Sequence, residues 1–424
     1  MATPTQAATR RTSTAPVIAL LVIAVLINYV DRGNLALAAP LLAKDWHLSA
    51  SRLGLLLSAF FWTYMVLQIP VGWLVDRFNA STILAAGFLA WSASTAFTGL
   101  ARSFAVLFVM RLLLGVGEAV VFPASSKIFS ESLEEKDRGL ANGLLVAAIR
   151  WGTALGAFGG GLLMAHIGWR RTFLAIGLLG LLWLPAWQRF KPRRILPSES
   201  PGPHSDPSHA APPSFLSIAR LRPFWGAALG HLSENYLLYL LMSWLPYYLV
   251  HERHLSESAM AWTAGLLYAM DSASAIVAGR IADLCIRRRI PATTARKVPM
   301  IAGLLLAAVS LVACASAGPH TWLLCLSGAA IGCGLSCSGV YAVPQTLAGP
   351  RLAGRWVGLQ NCVANFAGIL APVLTGYMVQ RTGHFASALT LAAVISAAGA
   401  LAWAIGVRPS DEPAPSLAGA GIGV

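Results

Sequence analysis

Along most of this chain, apolar runs of about 20 residues alternate with short polar breaks, the length a helix needs to cross about 30 Å of hydrocarbon. The runs fall at about 16–40, 52–75, 82–101, 104–128, 139–165, 171–190, 220–250, 257–286, 298–317, 320–347, 354–380 and 385–407. Backbone groups in lipid must pair within their own segment, so the pattern predicts twelve spanning helices. The first run is interrupted at its middle by Asn28-Tyr29-Val30-Asp31-Arg32-Gly33-Asn34. A single central Asp or Arg costs roughly 3 kcal/mol in a bilayer, so such a stretch is expected to face a polar cavity on an ion or solute pathway.

Composition sharpens the class. The 424 residues are 56% hydrophobic and 11% charged, with a mean hydropathy of +0.65. That excludes an ordinary soluble domain and predicts a polytopic membrane protein. The net charge of +14 would suit nucleic acid if it were clustered. Instead, with the amino terminus placed in the cytoplasm, twenty Lys and Arg fall in inside loops and seven in outside loops. This asymmetry places both termini in the cytoplasm and makes the excess charge topological, leaving the lipid bilayer, and no nucleic acid, as the partner. A cleaved signal peptide is the competing reading of the first run, through Arg10-Arg11, the apolar 17–27 and Ala36-Leu37-Ala38. Cleavage would discard Asp31 and Arg32 and break the alternation of loop charge. The six cysteines lie in or beside spans without metal-type pairing, so they read as packing residues, with no metal site.

The order along the chain is a polar tail (1–15), six spans (16–190), a linker (191–219), six spans (220–408) and a second tail (409–424). Seven prolines fall between Lys191 and Pro213, the composition of a disordered cytoplasmic spacer. The halves echo each other. Gly72-Trp-Leu-Val-Asp76-Arg77 ends the second span and Gly279-Arg-Ile-Ala-Asp283 ends the eighth, each at the same cytoplasmic turn of its half. Matching halves of this kind place a site between them near mid-membrane.

These residues carry a resemblance. Gly72-x-Leu74-x-Asp76-Arg77 resembles the loop signature of the major facilitator superfamily. Asn28-Tyr-Val-Asp-Arg32, Ser58-Ala-Phe-Phe-Trp62-Thr-Tyr64, Gln68-Ile-Pro-Val-Gly72, Arg111-Leu-Leu-Leu-Gly-Val-Gly-Glu118, Trp244-Leu-Pro-Tyr-Tyr248, Gly358-Leu-Gln-Asn361, Asn365-x-x-Gly368 and Pro372 resemble its anion:cation symporter family. The likeness spans nearly the whole chain. It implies an all-α membrane protein of two six-helix bundles, in a bacterial inner membrane. It also implies uptake of an organic anion, often a sugar acid such as a hexuronate, aldonate or glucarate, driven by protons or Na⁺. The chain is then a transporter, not an enzyme, needs no cofactor and works by default as a monomer.

The polar residues of the spans supply the candidate chemistry. Arg111 and Glu118 are two helical turns apart and share a face, whereas the neighbours Asp31 and Arg32 diverge by about 100°. The simplest arrangement pairs Asp31 with Arg111 and turns Arg32 into the cavity toward an anionic substrate, leaving Glu118 to carry a proton. The resemblance implies the same proton-coupling and carboxylate-binding roles for these four. A static ion-pair network that fixes helix packing is the plainer alternative. Arg150 is a further central arginine, suited to a second negative group or to neutralising Glu118. Thr153 stands where many sugar-acid members carry a glutamine. Tyr29, Tyr64, Gln68, Tyr236, Tyr239, Tyr341, Gln345, Asn361 and Asn365 are candidates to hydrogen-bond substrate hydroxyls, against a role in packing or interhelical bonding. Gly72, Asp76, Arg77, Gly279 and Asp283 are expected to brace the cytoplasmic gate through helix-end charge. Gly152, Gly156, Gly159, Gly160 and Gly161 form a small-residue face for close helix packing. Glu234 and Asp271 fit no role that the resemblance implies; a second ion, a cationic partner group, or pairing with His231 or Arg280 are all open.

Two rivals remain. An organic-phosphate exchanger or an exporter of the same fold would also use paired arginines. A membrane-embedded enzyme would need a metal cluster or a nucleophile with its base, and no such motif occurs.

Overall fold

The structure is a computed structural model and describes residues 14–132, 135–192 and 215–408. All regular structure among these residues is helical. In the first half come α1 (Ala15–Trp46), α2 (Ala50–Arg77), α3 (Ala80–Leu100), α4 (Phe104–Glu118), α5 (Val121–Ser132) and α6 (Glu135–Leu155). A π-helical turn, Gly156–Gly160, leads to α7 (Gly161–Ile167), α8 (Trp169–Leu181) and α9 (Trp183–Phe190). The second half holds α10 (Phe215–Ala219), α11 (Arg222–His251), α12 (Glu257–Arg287), α13 (Ala292–Ala315) and α14 (Trp322–Cys337). It closes with α15 (Ala342–Asn365), α16 (Ala367–Thr382) and α17 (Ala386–Gly406). Among the described residues eight helical segments are long and apolar enough to cross a membrane, so this is a multi-pass membrane protein. The linker and tails lie largely outside the described residues.

Local chemistry explains the starts and breaks. Ser49, Asn79, Ser103 and Ser256 each cap a helix by accepting the backbone N–H three residues on, at 3.4, 3.0, 3.3 and 3.3 Å. Prolines divide long spans: Pro123 and Pro185 lack the N–H that the carbonyls of Ala119 and Leu181 would receive, close to where α4 gives way to α5 and α8 to α9. The apolar pattern predicts an end of the first helix near Pro40, but α1 continues to Trp46 and stops only where His47 turns left-handed at φ 48°. A proline inside a membrane helix is tolerated because neighbouring helices re-satisfy the freed carbonyl. A second difference lies at 347–354, read as a loop and found within the continuous helix α15.

Within the first half α3 packs on α4 and α8, α1 on α6, and α2 on α4; in the second, α13 packs on α14 and α17, and α11 on α15 and α17. Indole N–H groups tie helices together, Trp183 to the Leu20 carbonyl at 2.8 Å and Trp187 to that of Ser81 at 3.0 Å. Glycines set the closest approaches. A Cβ on Gly177 would stand 2.3 Å from the Ala96 nitrogen, and one on Gly160 would stand 2.5 Å from Asn34 Oδ1 on α1.

The halves meet through α1 with α11, α2 with α16, and α12 with α6 and α7. These contacts gather at one end. The Ser51 N–H donates to Gln380 Oε1 at 3.1 Å. A Cβ on Gly54 would strike the Pro372 carbonyl and one on Gly161 would strike Ala261. At the far ends of α2 and α12, a Cβ on Gly72 or Gly279 would meet nothing within 4 Å. Among the described residues the halves touch at the Ser51–Gln380 end, while Gly72 and Gly279 stand clear of any neighbour at the other, open end.

Candidate functional site

Arg32 is the hub. Packing of α1 against the glycines of α6 and the π-turn fixes its rotation: Gly152 abuts Leu26 and Tyr29, Gly156 abuts Val30, and Gly160 abuts Asn34. A π-turn is a recurring feature of functional sites in helices. With α1 held this way, Arg32 points at α4 and its Nη2 and Nε donate to Glu118 Oε2 at 3.0 and 3.3 Å. Nη2 also donates to Asn28 Oδ1 at 3.2 Å. The guanidinium lies 4.6, 4.7 and 4.7 Å from the ring centres of Tyr29, Phe60 and Tyr64. Arg32 is 6% exposed and Glu118 0%, so water does little to screen the pair.

The geometry thus differs from the pairing expected from sequence. Arg32, expected to turn into the cavity, is held by Glu118, and Asp31 and Arg111, expected to pair, make no ion-pair contact with each other. Asp31 and Arg111 are both buried and lie within electrostatic reach of each other and of Glu118. No hydrogen bond reaches Asp31 Oδ1 or Arg111 Nε. The Arg111 guanidinium instead lies 5.6 Å from the Phe60 ring centre, so one ring is near both cations. The four ionisable groups form one cluster. Asn28 and Phe60 belong to it too, and the four-residue spacing of Asn28 from Arg32 was the available signal for the former.

The second half presents a neutral polar wall. The Tyr239 hydroxyl donates to Asn365 Oδ1 at 2.7 Å, and the Tyr239 ring lies 4.4 Å from that of Phe61 in the first half. Asn365 Nδ2 donates to the Asn361 carbonyl at 2.9 Å, and the Tyr341 hydroxyl to Asn361 Oδ1 at 3.2 Å. Tyr341 is 48% exposed and within electrostatic reach of Tyr29 and Tyr64, so this wall faces the Arg32 cluster across the junction of the halves.

The remaining candidates divide. Tyr236 is buried on α11 and Gln68 half-buried on α2. The Thr153 hydroxyl is bonded to the Ile149 carbonyl of its own helix at 3.1 Å. The side chains of Arg150, Gln345 and Asp76 lie outside the described residues. Arg77 and Asp283 are exposed at the open end with Gly72 and Gly279. Glu234 lies 4.0 Å from His231, while Arg280 is exposed and Asp271 is buried on α12 near Tyr268. Among the described residues no cluster of His, Cys, Asp and Glu could hold a metal.

A bundle of apolar helices with a cluster of buried charges near the junction of its two halves has the build of a membrane carrier. Comparison with known proteins gives the family: the Major Facilitator Superfamily profile matches residues 21–295 and 292–422. The chain belongs to that superfamily; it is a transporter and not an enzyme. It is 30% identical over 414 residues to a probable L-galactonate transporter of Escherichia coli K12, covering 93% of this chain and 89% of that protein. It is also 28% identical to the hexuronate transporter of Bacillus subtilis 168, with 93% and 94% covered. A probable galactarate/D-glucarate transporter of the same bacterium is 28% identical, over 90% of this chain and 89% of that one. Among solved structures, an inward-facing, unoccupied bacterial homologue of the human lysosomal transporter Spinster superposes with a TM-score of 0.81. That match has 20% identity and covers 97% of this chain and 100% of the other.

Proposed function

We propose that this chain imports an organic anion of the sugar-acid class by proton symport across a bacterial inner membrane. The substrate class rests on relatives named for galactonate, glucarate, galactarate and hexuronate. It rests too on the chemistry of the junction between the halves, with an arginine on one side and hydroxyl- and amide-bearing side chains on the other. In this reading twelve spans form two bundles, 16–190 and 220–408, with both termini cytoplasmic. The open end of the structure is then the cytoplasmic one.

The observation that carries the coupling is that the guanidinium of Arg32 is already held by Glu118. A substrate carboxylate needs the same donors. It gains them when Glu118 takes a proton and gives up its claim, because a neutral carboxyl holds a guanidinium far more weakly. Proton and anion therefore enter together, and the charge of the site is the same before and after. Asp31 and Arg111 complete the compensation, so the loaded carrier reorients without an exposed charge in hydrocarbon. Rocking of the bundles closes Gly72 and Gly279 against their opposite halves and opens the Ser51–Gln380 end.

Uptake of labelled galactonate, glucarate and glucuronate into proteoliposomes, with and without an inward proton gradient, tests this. Gradient-driven accumulation of at least one acid is expected. Accumulation that follows a sodium gradient and ignores the proton gradient would overturn the coupling ion.

A further inference from the structure

A second buried network lies in the C-terminal half, and no step of the proposed cycle uses it. The Trp356 indole N–H donates to Gln360 Oε1 at 3.2 Å. Gln360 Nε2 donates to the Val340 carbonyl at 3.2 Å and lies 3.2 Å from His231 Nδ1. The other ring nitrogen of His231 lies 4.0 Å from Glu234 Oε2. Trp356, Gln360, His231 and Glu234 are exposed by 2, 0, 2 and 3%, so solvent satisfies none of these groups.

Elementary hydrogen-bond chemistry then fixes where the protons sit. An indole nitrogen only donates, so the Gln360 atom facing Trp356 is the amide oxygen and the atom facing His231 is the amide nitrogen. The Val340 carbonyl agrees, because it accepts only from an N–H. Val340 precedes Pro344 by four residues, and a proline cannot donate back to it, which is why this carbonyl is open to Gln360. His231 Nδ1 therefore accepts and carries no proton. The ring is held as the neutral Nε2–H tautomer, with that N–H on the Glu234 side. Charging His231 would set an Nδ1–H against the Gln360 amide donor, so the relay opposes it.

We propose that Glu234 is a further proton-binding carboxylate of the carrier, and that Trp356, Gln360 and His231 position a hydrogen-bond donor beside it. A proton fits this site better than sodium. The group that the relay is known to present is an N–H, which a sodium ion cannot use as a ligand. The proton reaches Glu234 from the cavity side past Tyr341, which is 48% exposed and packs edge-on to His231 at 5.4 Å. His231 faces Glu234 from the same helix, and Tyr341 faces it from the start of α15. Helix α17 presents Trp403 and Gly399 to this turn of α11, neither of which titrates. The role of this site in transport rests on the proton-symport reading, but its existence does not.

The test uses the full chain in lipid and needs no substrate. Infrared difference spectra between acid and neutral pH should contain a protonated-carboxyl band that Glu234→Gln removes and Glu118→Gln leaves in place. Nitrogen-15 histidine spectra of the unsubstituted protein should show His231 as the Nε2–H tautomer throughout about pH 5 to 8, where a free histidine titrates. Gln360→Leu should release it to a mixture of tautomers. A band unchanged in Glu234→Gln, or a His231 that carries its proton on Nδ1, overturns the proposal. So does a band that sodium at constant pH displaces. If the band and the tautomer are as expected but no anion is carried with protons, the site stands and the symport reading falls.

Discussion

Arg32→Ala is the substitution whose cost the structure sets most directly. It removes both nitrogens that hold Glu118 Oε2, at 3.0 and 3.3 Å, and leaves a carboxyl group of 0% exposure without its cation. Breaking a buried ion pair from one side costs about 3–5 kcal/mol. The three aromatic faces around the guanidinium add about 0.5–2 kcal/mol each at most. Arg32→Ala with Glu118→Gln removes the stranded charge, so the double variant should regain much of the loss. A coupling energy of about 2 kcal/mol or more is expected for residues in direct contact. Arg77→Ala, at an exposed position, should change stability by no more than about 0.5 kcal/mol. Unfolding by sodium dodecyl sulfate titration in mixed micelles measures the unsubstituted protein, Arg32→Ala, Glu118→Gln, the double variant and Arg77→Ala. Arg32→Lys should recover little, because an ammonium cannot reproduce the two-nitrogen grip. Equal stability of Arg32→Ala and the double variant would mean that the Arg32–Glu118 pair is not formed, and proton binding at Glu118 could then not release Arg32 to the substrate.

Other consequences follow from single contacts. Tyr239→Phe deletes the 2.7 Å bond to Asn365 and should weaken anion binding about 2- to 10-fold, the equivalent of about 0.5–1.5 kcal/mol; unchanged affinity would put this wall outside the site. Gly177→Ala forces a Cβ to 2.3 Å from the Ala96 backbone and should destabilise by about 1–3 kcal/mol. Gly72→Ala meets nothing within 4 Å, so it should fold normally yet slow transport if the open end has to close on it. Deleting 198–211 should leave uptake intact, because the proline-rich composition is that of a spacer; loss of uptake in an inserted protein would make the segment a gate.

Much of this was legible in the chain itself, and the reasons for the rest are physical. Apolar runs and the Asp31-Arg32 interruption are local signals, and they located α1 and its buried charges, while motifs such as Gly72-x-Leu74-x-Asp76-Arg77 carried the resemblance to the family. Which of two adjacent residues faces α4 is not local. Asp31 and Arg32 differ by about 100° around the helix, and the choice is made by how Gly152, Gly156 and Gly160 seat α1 against its neighbour. The Arg32–Glu118 pair emerges only from that rotation. Proline was a poor stop signal at Pro40 because its cost is met by neighbouring helices. The Gln360–His231 contact joins residues 129 apart in the chain, and neither carries a motif that names the other.

In the proposed cycle, protons drive uptake through Glu118 and Asp31. Glu118→Gln mimics a permanently protonated carboxyl, so anion binding and counterflow exchange should persist. Proton release and return of the empty carrier should fail. Asp31→Asn should behave alike, with added damage from depriving Arg111 of a nearby negative charge. The direct measurement is uptake driven by a pH gradient beside counterflow, in the same vesicles. Exchange without uphill accumulation in both variants is the predicted result. Accumulation against a gradient in both variants would contradict the assignment and move the coupling to other carboxylates.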